Sequence, residues 1–276
     1  MKKKYSGERL ETFIFGYDTV DHLHRYSIVL EFAKNKRVVD IACGAGYGSA
    51  IISKIATEVI GIDIDSYTIS EAKKTYRSSN LSFLVGNTDN IPIESKSVDL
   101  VVSFETIEHH DRHKEMYFEI KRILKPDGIL IISSPDKKYY SDIRNKVNPF
   151  HIKELYLEEF RDLNSKNFKN INMYLQKSIN GNSTIAEESV FNNLKVYSGS
   201  YNDIYNQTIT PLYNIVIASD VEFNKIGYSV FNGEEISSII NKRNMEEILF
   251  SRTYKTGRFI LFPFIEIKNF LKKRMS

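Results

Sequence analysis

From about residue 36 the chain alternates short apolar runs with segments whose apolar residues recur at helical spacing. Arg37-Val38-Val39-Asp40-Ile41-Ala42 predicts a strand that runs into glycines, and Glu58 to Ile62, Leu81 to Val85, Val98 to Ser103 and Gly128 to Ser133 predict four more. Ser49 to Ile55, Ser66 to Tyr76 and Asp111 to Leu124 predict the helices between them. In the last of these, Met116, Ile120, Ile123 and Leu124 keep helical spacing, and Lys125-Pro126-Asp127-Gly128 predicts the turn that stops it. Apolar strands alternating with helices indicate an α/β fold around a buried, mostly parallel sheet. Further on, Lys153 to Leu163 predicts a helix, Phe168 to Gln176 and Leu212 to Ala218 strands, and Glu234 to Leu249 an amphipathic helix. Residues 177–211, rich in Asn, Ser and Thr, predict an excursion with weak strands.

Composition narrows the class. With 276 residues, 42% hydrophobic and 26% charged, global disorder and a fibrous repeat are excluded. The single cysteine, Cys43, excludes an internal disulfide framework and a cysteine-based zinc site. The net charge of +3 is unevenly spread. Arg252, Lys255, Arg258, Lys268, Lys272, Lys273 and Arg274 face one acid, Glu266, so the remaining body is acidic. An acidic body argues against nucleic acid as a partner, because phosphate contacts need clustered Lys and Arg. The basic start is followed by polar residues where a secretory signal has an apolar stretch, so a cytoplasmic location is expected. The longest strongly apolar run, Phe259 to Ile265, is far short of the roughly 20 residues that span a bilayer.

The densest chemistry lies at Val38-Val39-Asp40-Ile41-Ala42-Cys43-Gly44-Ala45-Gly46-Tyr47-Gly48, a strand, a tight glycine turn and a helix start. Glycines there let the backbone approach a ligand. Asp63 ends the next strand, where a carboxylate can accept the two hydroxyls of an adenosine ribose. Dinucleotides and S-adenosylmethionine (SAM) both suit such a pair of features. Asp40 just before the turn would repel a pyrophosphate and attract an ammonium, which favours SAM over an NAD(P)-dependent oxidoreductase.

These segments, with Leu84-Val85-Gly86-Asn87-Thr88-Asp89-Asn90-Ile91-Pro92, Val98 to His109 and Leu124 to Leu130, resemble the class I SAM-dependent methyltransferases. The resemblance covers residues 37–134 and implies a Rossmann-like three-layer sandwich with a seven-stranded, mostly parallel sheet. It also implies roles. Asp40, Cys43, Gly44 and Gly46 would surround the methionine part of SAM, and Asp63 would hold the ribose. Ile64 would flank the adenine, with Asn87, Thr88 and Asp89 at its edge. Asn87 stands where the family usually has an acid. Phe104 would lie near the sulfonium.

All six histidines fall between positions 22 and 151. A hydroxyl acceptor must lose a proton, and histidine is the usual base. His109, just after the fourth strand, is the first candidate, with Glu105 or Glu108 to orient it. His151 is the second, as acceptor ligand, base or helix cap. His110 and His113 are expected on a solvated helix start, and His110, Tyr139 and Tyr140 are placed on the acceptor side. The pair His109 and His113 has metal-ligand spacing but no accompanying carboxylate set, so no metal is expected. Asn148 to Leu155, Ser134 to Tyr140, Ser6 to Arg9 and Asp21-His22-Leu23-His24-Arg25-Tyr26 resemble segments of methyltransferases from bacterial surface-polysaccharide and sugar pathways. That resemblance implies an N-terminal helix over the cofactor, Arg25 pairing with the SAM carboxylate, and Tyr26 and His24 at the pocket.

The expected organisation is an N-terminal lid and helix (1–35), a SAM-binding domain (36–220) with 177–211 inserted on the acceptor side, and a helical, amphipathic basic appendage (221–276). Phe264, Ile267 and Leu271, with lysines on other faces, make 252–276 a candidate peripheral contact with the inner face of an anionic membrane, against a partner-binding or dimer helix. The expected reaction moves a methyl group from SAM to an oxygen of a sugar or glycan-pathway intermediate, leaving S-adenosylhomocysteine. A phosphoryl or phosphoramidate acceptor, an amino-sugar nitrogen and a non-catalytic SAM-binding protein are the alternatives.

Overall fold

The computed structural model describes residues 16–261. Helix α1 (Tyr17–Ala33) leads into β1 (Arg37–Ile41), α2 (Tyr47–Ile52), β2 (Glu58–Asp63), α3 (Ser66–Thr75), β3 (Leu81–Val85), β4 (Val98–Ser103), α4 (His113–Ile123) and β5 (Leu124–Pro135). Then come α5 (Leu157–Asn167), β6 (Asn170–Ile179), β7 (Asn182–Glu187), α6 (Glu188–Phe191), β8 (Val196–Ser200), β9 (Asp203–Gln207), β10 (Tyr213–Ser219), β11 (Tyr228–Phe231) and α7 (Glu234–Phe250). Nine strands form one sheet in the order β11-β7-β6-β10-β5-β4-β1-β2-β3, while β8 and β9 pair as a separate hairpin. Strands β1 to β5 are parallel, and β10, β6, β7 and β11 add antiparallel. The fold is Rossmann-like, with the parallel strand order β5-β4-β1-β2-β3.

The pleat of β1 shows how the layers form. Val39 and Ile41 face one side and join Met116, Ile120 and Ile123 of α4 and Phe160 of α5. Val38 faces the other side and joins Tyr26, Val29 and Ala33 of α1 and Ile52 of α2. Alternate side chains of a strand serve opposite faces, so a strand covered by helices on both sides reads as a continuous apolar run. Asp40 is the polar exception, and its carboxylate points toward the α1 and α2 layer.

Several expectations need correction. Beyond the expected seven strands, β7 and β11 extend the antiparallel edge. The 177–211 excursion was read as weakly stranded, yet Ser183, Thr184, Ile185 and Ala186 of β7 are buried. Its polar residues are satisfied internally: Ser183 Oγ donates to Asp21 Oδ1 at 2.7 Å. Strand β11 pairs with β7, so residues 221–233 belong to the sheet, and the chain divides after Gly233 rather than at 220. Lys125-Pro126-Asp127-Gly128 is not a plain turn. It lies within β5, whose pairing to β4 shifts register between Val98 and Leu100, and Lys125 Nζ is 2.7 Å from Asp99. Helix α5 begins at Leu157 rather than Lys153, because Glu154 turns to His151 and Leu155 bridges to Asp136.

The second unit, from Glu234, holds α7 and a helical stretch over residues 252–261. Helix α7 is not amphipathic as expected: at 100° per residue, Ile236 and Ile240 fall on one face and Met245 and Leu249 on the opposite one. Phe250, Phe259, Ile260 and Leu261 are exposed. Among the described residues, no helix is long and apolar enough to cross a membrane. The expected contacts of Ser6 to Arg9 and of Phe264, Ile267 and Leu271 lie outside the described residues.

Candidate active site

The C-terminal ends of β1, β2 and β4, with the start of α1 and the segment after β5, enclose a cleft of about 490 Å³. Ligands of open α/β sheets bind at this edge. Two non-glycine residues on its wall, Ala42 after β1 and Glu105 after β4, have left-handed backbone (φ 56° and 49°). Such conformations cost energy and concentrate at functional sites.

The glycine turn is shaped by what surrounds it. Gly46 has φ 83° and caps α2, and a Cβ there would lie 2.7 Å from the Phe83 ring. Gly44 has φ 54° and borders the cleft, and a Cβ on it would meet no protein atom within 4 Å. The turn is thus packed tight at Gly46 and leaves ligand space at Gly44. Asp63 is buried beside it. Its Oδ2 accepts from the Gly44 N–H at 3.0 Å and its Oδ1 from the Asp65 N–H at 2.9 Å. Ile64, 65% exposed, continues the wall, followed by Asn87, Thr88 and Asp89 after β3. Arg112 forms an ion pair with Asp89, and His110 Nε2 lies 3.4 Å from Thr88 Oγ1.

Helix α1 contributes Asp18, His22 and Tyr26 to the wall. The His22 imidazole is held neutral by burial and by the Arg25 charge, and Tyr47 OH sits 3.0 Å from its Nδ1. Asp40 lies behind the turn rather than on the cleft wall. It accepts from Ser49 Oγ at 2.7 Å, with Tyr26 OH at 3.4 Å from each carboxylate oxygen. Burial pushes its pKa up to about 7.

The opposite wall is a dense polar group. Glu108 is 1% exposed, and its Oε2 has no hydrogen-bond partner among the described residues. Burial, and then the charge of Glu105, push its carboxyl well above the usual range. Burial also raises the Glu105 carboxyl, against the opposing pull of Arg25. His109 Nδ1 is 3.0 Å from the Phe150 carbonyl, so it carries the proton, and its Nε2 lies 3.9 Å from Glu108 Oε1. The tautomer of His151 follows from its neighbours. Asn148 Oδ1 accepts the Phe150 N–H at 3.1 Å, which turns its amide nitrogen to His151 Nε2 at 2.9 Å. His151 Nδ1–H then donates to Glu154 Oε1 at 2.5 Å, and its lone pair is on Nε2. Tyr140 stacks on the His151 ring at 5.3 Å. The main-chain oxygen of Glu108 accepts from Ile152 and Lys153 N–H at 2.8 and 3.0 Å, which ties the two histidine-bearing segments together.

Of the residues singled out by sequence, Cys43, Gly44, Asp63, Ile64, Asn87, Thr88, Asp89, Phe104, Tyr26, Glu108, His109, His110, Tyr140 and His151 share this cleft. Asp40, Gly46, Arg25, His24 and Tyr139 do not line it. Arg25 is buried beneath, with Nη1 donating to Gln176 Oε1 at 2.6 Å and its guanidinium 4.7 Å from the Tyr213 ring. His24 turns to Ser229 of β11 at 2.9 Å. His113 is buried rather than solvated, its Nε2 held by the Ile107 and His110 carbonyls. Glu108 does not orient His109: it faces Nε2, and the Phe150 carbonyl fixes Nδ1. Sequence reasoning missed Asp18 and Tyr213 on the wall, and it singled out the segment of Asn148 and Glu154 without giving either residue a role of its own. The i, i+3 spacing of His151 and Glu154 was a usable signal. Tyr213, inside an apolar strand, carried none.

Residues 39–132 match the methyltransferase domain family. A Mycolicibacterium smegmatis protein named "Probable S-adenosylmethionine-dependent methyltransferase" is 35% identical over 127 residues, covering 46% of this chain and 49% of its own. A fatty-acid O-methyltransferase of the same organism is 26% identical over 128 residues, covering 43% and 47%. The chain spans about half the length of the curated relatives it matches. Among solved structures, a SAM-dependent methyltransferase of Thermotoga maritima aligns with a TM-score of 0.54 at 19% identity, covering 74% of this chain and 91% of that one. The matched family and the fold imply SAM as cofactor. The residues present fit it: ligand space at Gly44, a fixed carboxylate at Asp63, an exposed apolar side chain at Ile64 and an amide at Asn87. Asp18, Asp63, Asp89, Glu105 and Glu108 face the cleft, and Arg112, the one Arg on its wall among the described residues, is paired with Asp89. That balance suits a cationic ligand and disfavours a pyrophosphate.

Proposed function

We propose that this protein is a SAM-dependent methyltransferase acting on an oxygen of a sugar or glycan-pathway intermediate. Asp63 carries the reading, as a buried carboxylate fixed through both oxygens beside a glycine turn that leaves ligand space. SAM when bound supplies an electrophilic methyl group. Asp63 holds the ribose hydroxyls, Ile64 covers one adenine face, and Asn87 and Thr88 meet its edge. Phe104 and Tyr26 close the cleft near the turn and keep water out. Transfer is an in-line displacement, so holding the acceptor in place supplies much of the rate. The wall of Glu108, His109 and His151 acts as one unit that takes the proton from the acceptor hydroxyl, with Glu154 and the Phe150 carbonyl fixing the rings. Asn148, Tyr140, Asp18 and His22 supply the hydrogen-bonding surface that a hydroxyl-rich acceptor needs.

A lipid carboxylate acceptor is the second reading. Ile143, Val147, Phe150 and Ile152 are exposed on the same segment that brings Asn148 and His151 to the cleft, and one relative is named a fatty-acid O-methyltransferase. Mass spectrometry of surface glycan, sugar-nucleotide and lipid pools with and without the gene separates the two. Loss of one methyl group from a glycan supports the first reading. Loss of a fatty-acid methyl ester with all glycans unchanged replaces it by the second.

A further inference from the structure

The geometry points to a divalent transition-metal site formed by Glu108, His109 and His151 on the cleft wall. One ligand atom from each residue lies within 4.8 Å of the others. Atoms bound to one ion at about 2.1 Å sit roughly 3–3.5 Å apart, so the three close in by about an ångström on binding. The donor set is two imidazoles and a carboxylate, which suits zinc, cobalt or iron rather than the all-oxygen shells of calcium and magnesium.

Three observations support the site. Glu108 Oε2 is buried and has no hydrogen-bond partner among the described residues, which leaves this oxygen's acceptor capacity for an ion. Both imidazoles are held as metal-binding histidines are: Nδ1–H donates outward, to the Phe150 carbonyl at 3.0 Å and to Glu154 at 2.5 Å, which leaves Nε2 as the lone-pair nitrogen. The backbone bonds from Ile152 and Lys153 to the Glu108 carbonyl fix the two ligand-bearing segments against each other. Asn148 Nδ2 now sits on His151 Nε2 and turns away when the ion binds.

Three protein ligands leave coordination positions open to the cleft, for a water or an acceptor oxygen. In that role the site rests on the methyltransferase reading, whereas cation binding itself does not. An ion holding the acceptor hydroxyl lowers its pKa, so its proton passes to solvent water in the cleft, and the two imidazoles then serve as ligands instead of as the base.

The test is titration of the full-length, tag-free protein with Zn²⁺ and Co²⁺, followed by calorimetry and by the visible spectrum of the cobalt form. One ion should bind per chain with micromolar or tighter affinity and give the d–d bands of a nitrogen- and oxygen-ligated cobalt. Glu108→Gln and His151→Ala should each weaken binding at least tenfold while their circular dichroism stays that of the parent chain. SAM affinity measured on the same samples reports the cofactor reading separately. Absence of saturable binding below about 1 mM to a chain that binds SAM overturns the metal site alone. So does a folded Glu108→Gln chain that binds zinc like the parent.

Discussion

Asp63 and Asp40 show how differently two buried carboxylates serve one turn. Asp63 faces the cleft with backbone N–H groups on both oxygens. Asp63→Ala should weaken SAM binding by tenfold or more, the scale of lost charged hydrogen bonds, with little change in the far-ultraviolet spectrum. Asp40 faces the α1 and α2 layer and keeps its proton up to about pH 7 in the folded chain, against an ordinary 3.8. Between those two values the native state holds more protons than the unfolded state. Stability therefore falls as pH rises from about 4 to 7, by at most about 1.4 kcal/mol per pH unit. Asp40→Asn should flatten that slope in urea unfolding measured across the range. Gly48 provides a packing test, since a Cβ there would lie 1.9 Å from Tyr26 Cζ. Gly48→Ala should lower stability by about 1–3 kcal/mol, read as a drop in the urea midpoint.

At the scale of elements, α1 is riveted to the antiparallel edge by a buried network. Gln176 of β6 accepts from Arg25 Nη1 at 2.6 Å and donates to the Asp21 carbonyl at 2.9 Å and to Ser183 Oγ at 2.8 Å. Gln176→Leu should destabilise the chain by about 3 kcal/mol, because Arg25, whose Nε and Nη2 lack partners among the described residues, would lose the hydrogen bond of its Nη1. This coupling explains where sequence reading stopped. Strands β1 to β5 were legible because each is an apolar run that borders a helix, and Gly44 and Asp63 stood out at the ends of two of them. Strand β7 was not, because its buried Ser183 and Thr184 look like loop residues until Asp21 and Gln176 are seen across from them. The same holds at the cleft. The resemblance implies that Arg25 pairs with the cofactor, but its guanidinium lies against the Phe104 and Tyr213 rings, while the spacing of His151 and Glu154 gives no hint that the chain after β5 brings His151 to the cleft. Long-range hydrogen bonds carry these placements, and local pattern does not encode them.

The whole molecule pairs an acidic body holding the cleft with a basic C-terminal stretch. Exposed Phe259, Ile260 and Leu261 stand beside Arg252, Lys255 and Arg258, a mixture that suits an anionic lipid surface. Removing residues 252–276 should abolish cosedimentation with vesicles containing anionic lipid and leave SAM binding intact; undiminished cosedimentation would reject membrane contact through this stretch. The cofactor remains the claim on which the site depends. Calorimetric titration of the full chain with SAM and, separately, with NAD tests it most directly. One-to-one saturation by SAM, weakened at least tenfold in Asp63→Ala, with no heat from NAD, is the expected result, and saturable NAD binding with none for SAM would contradict it.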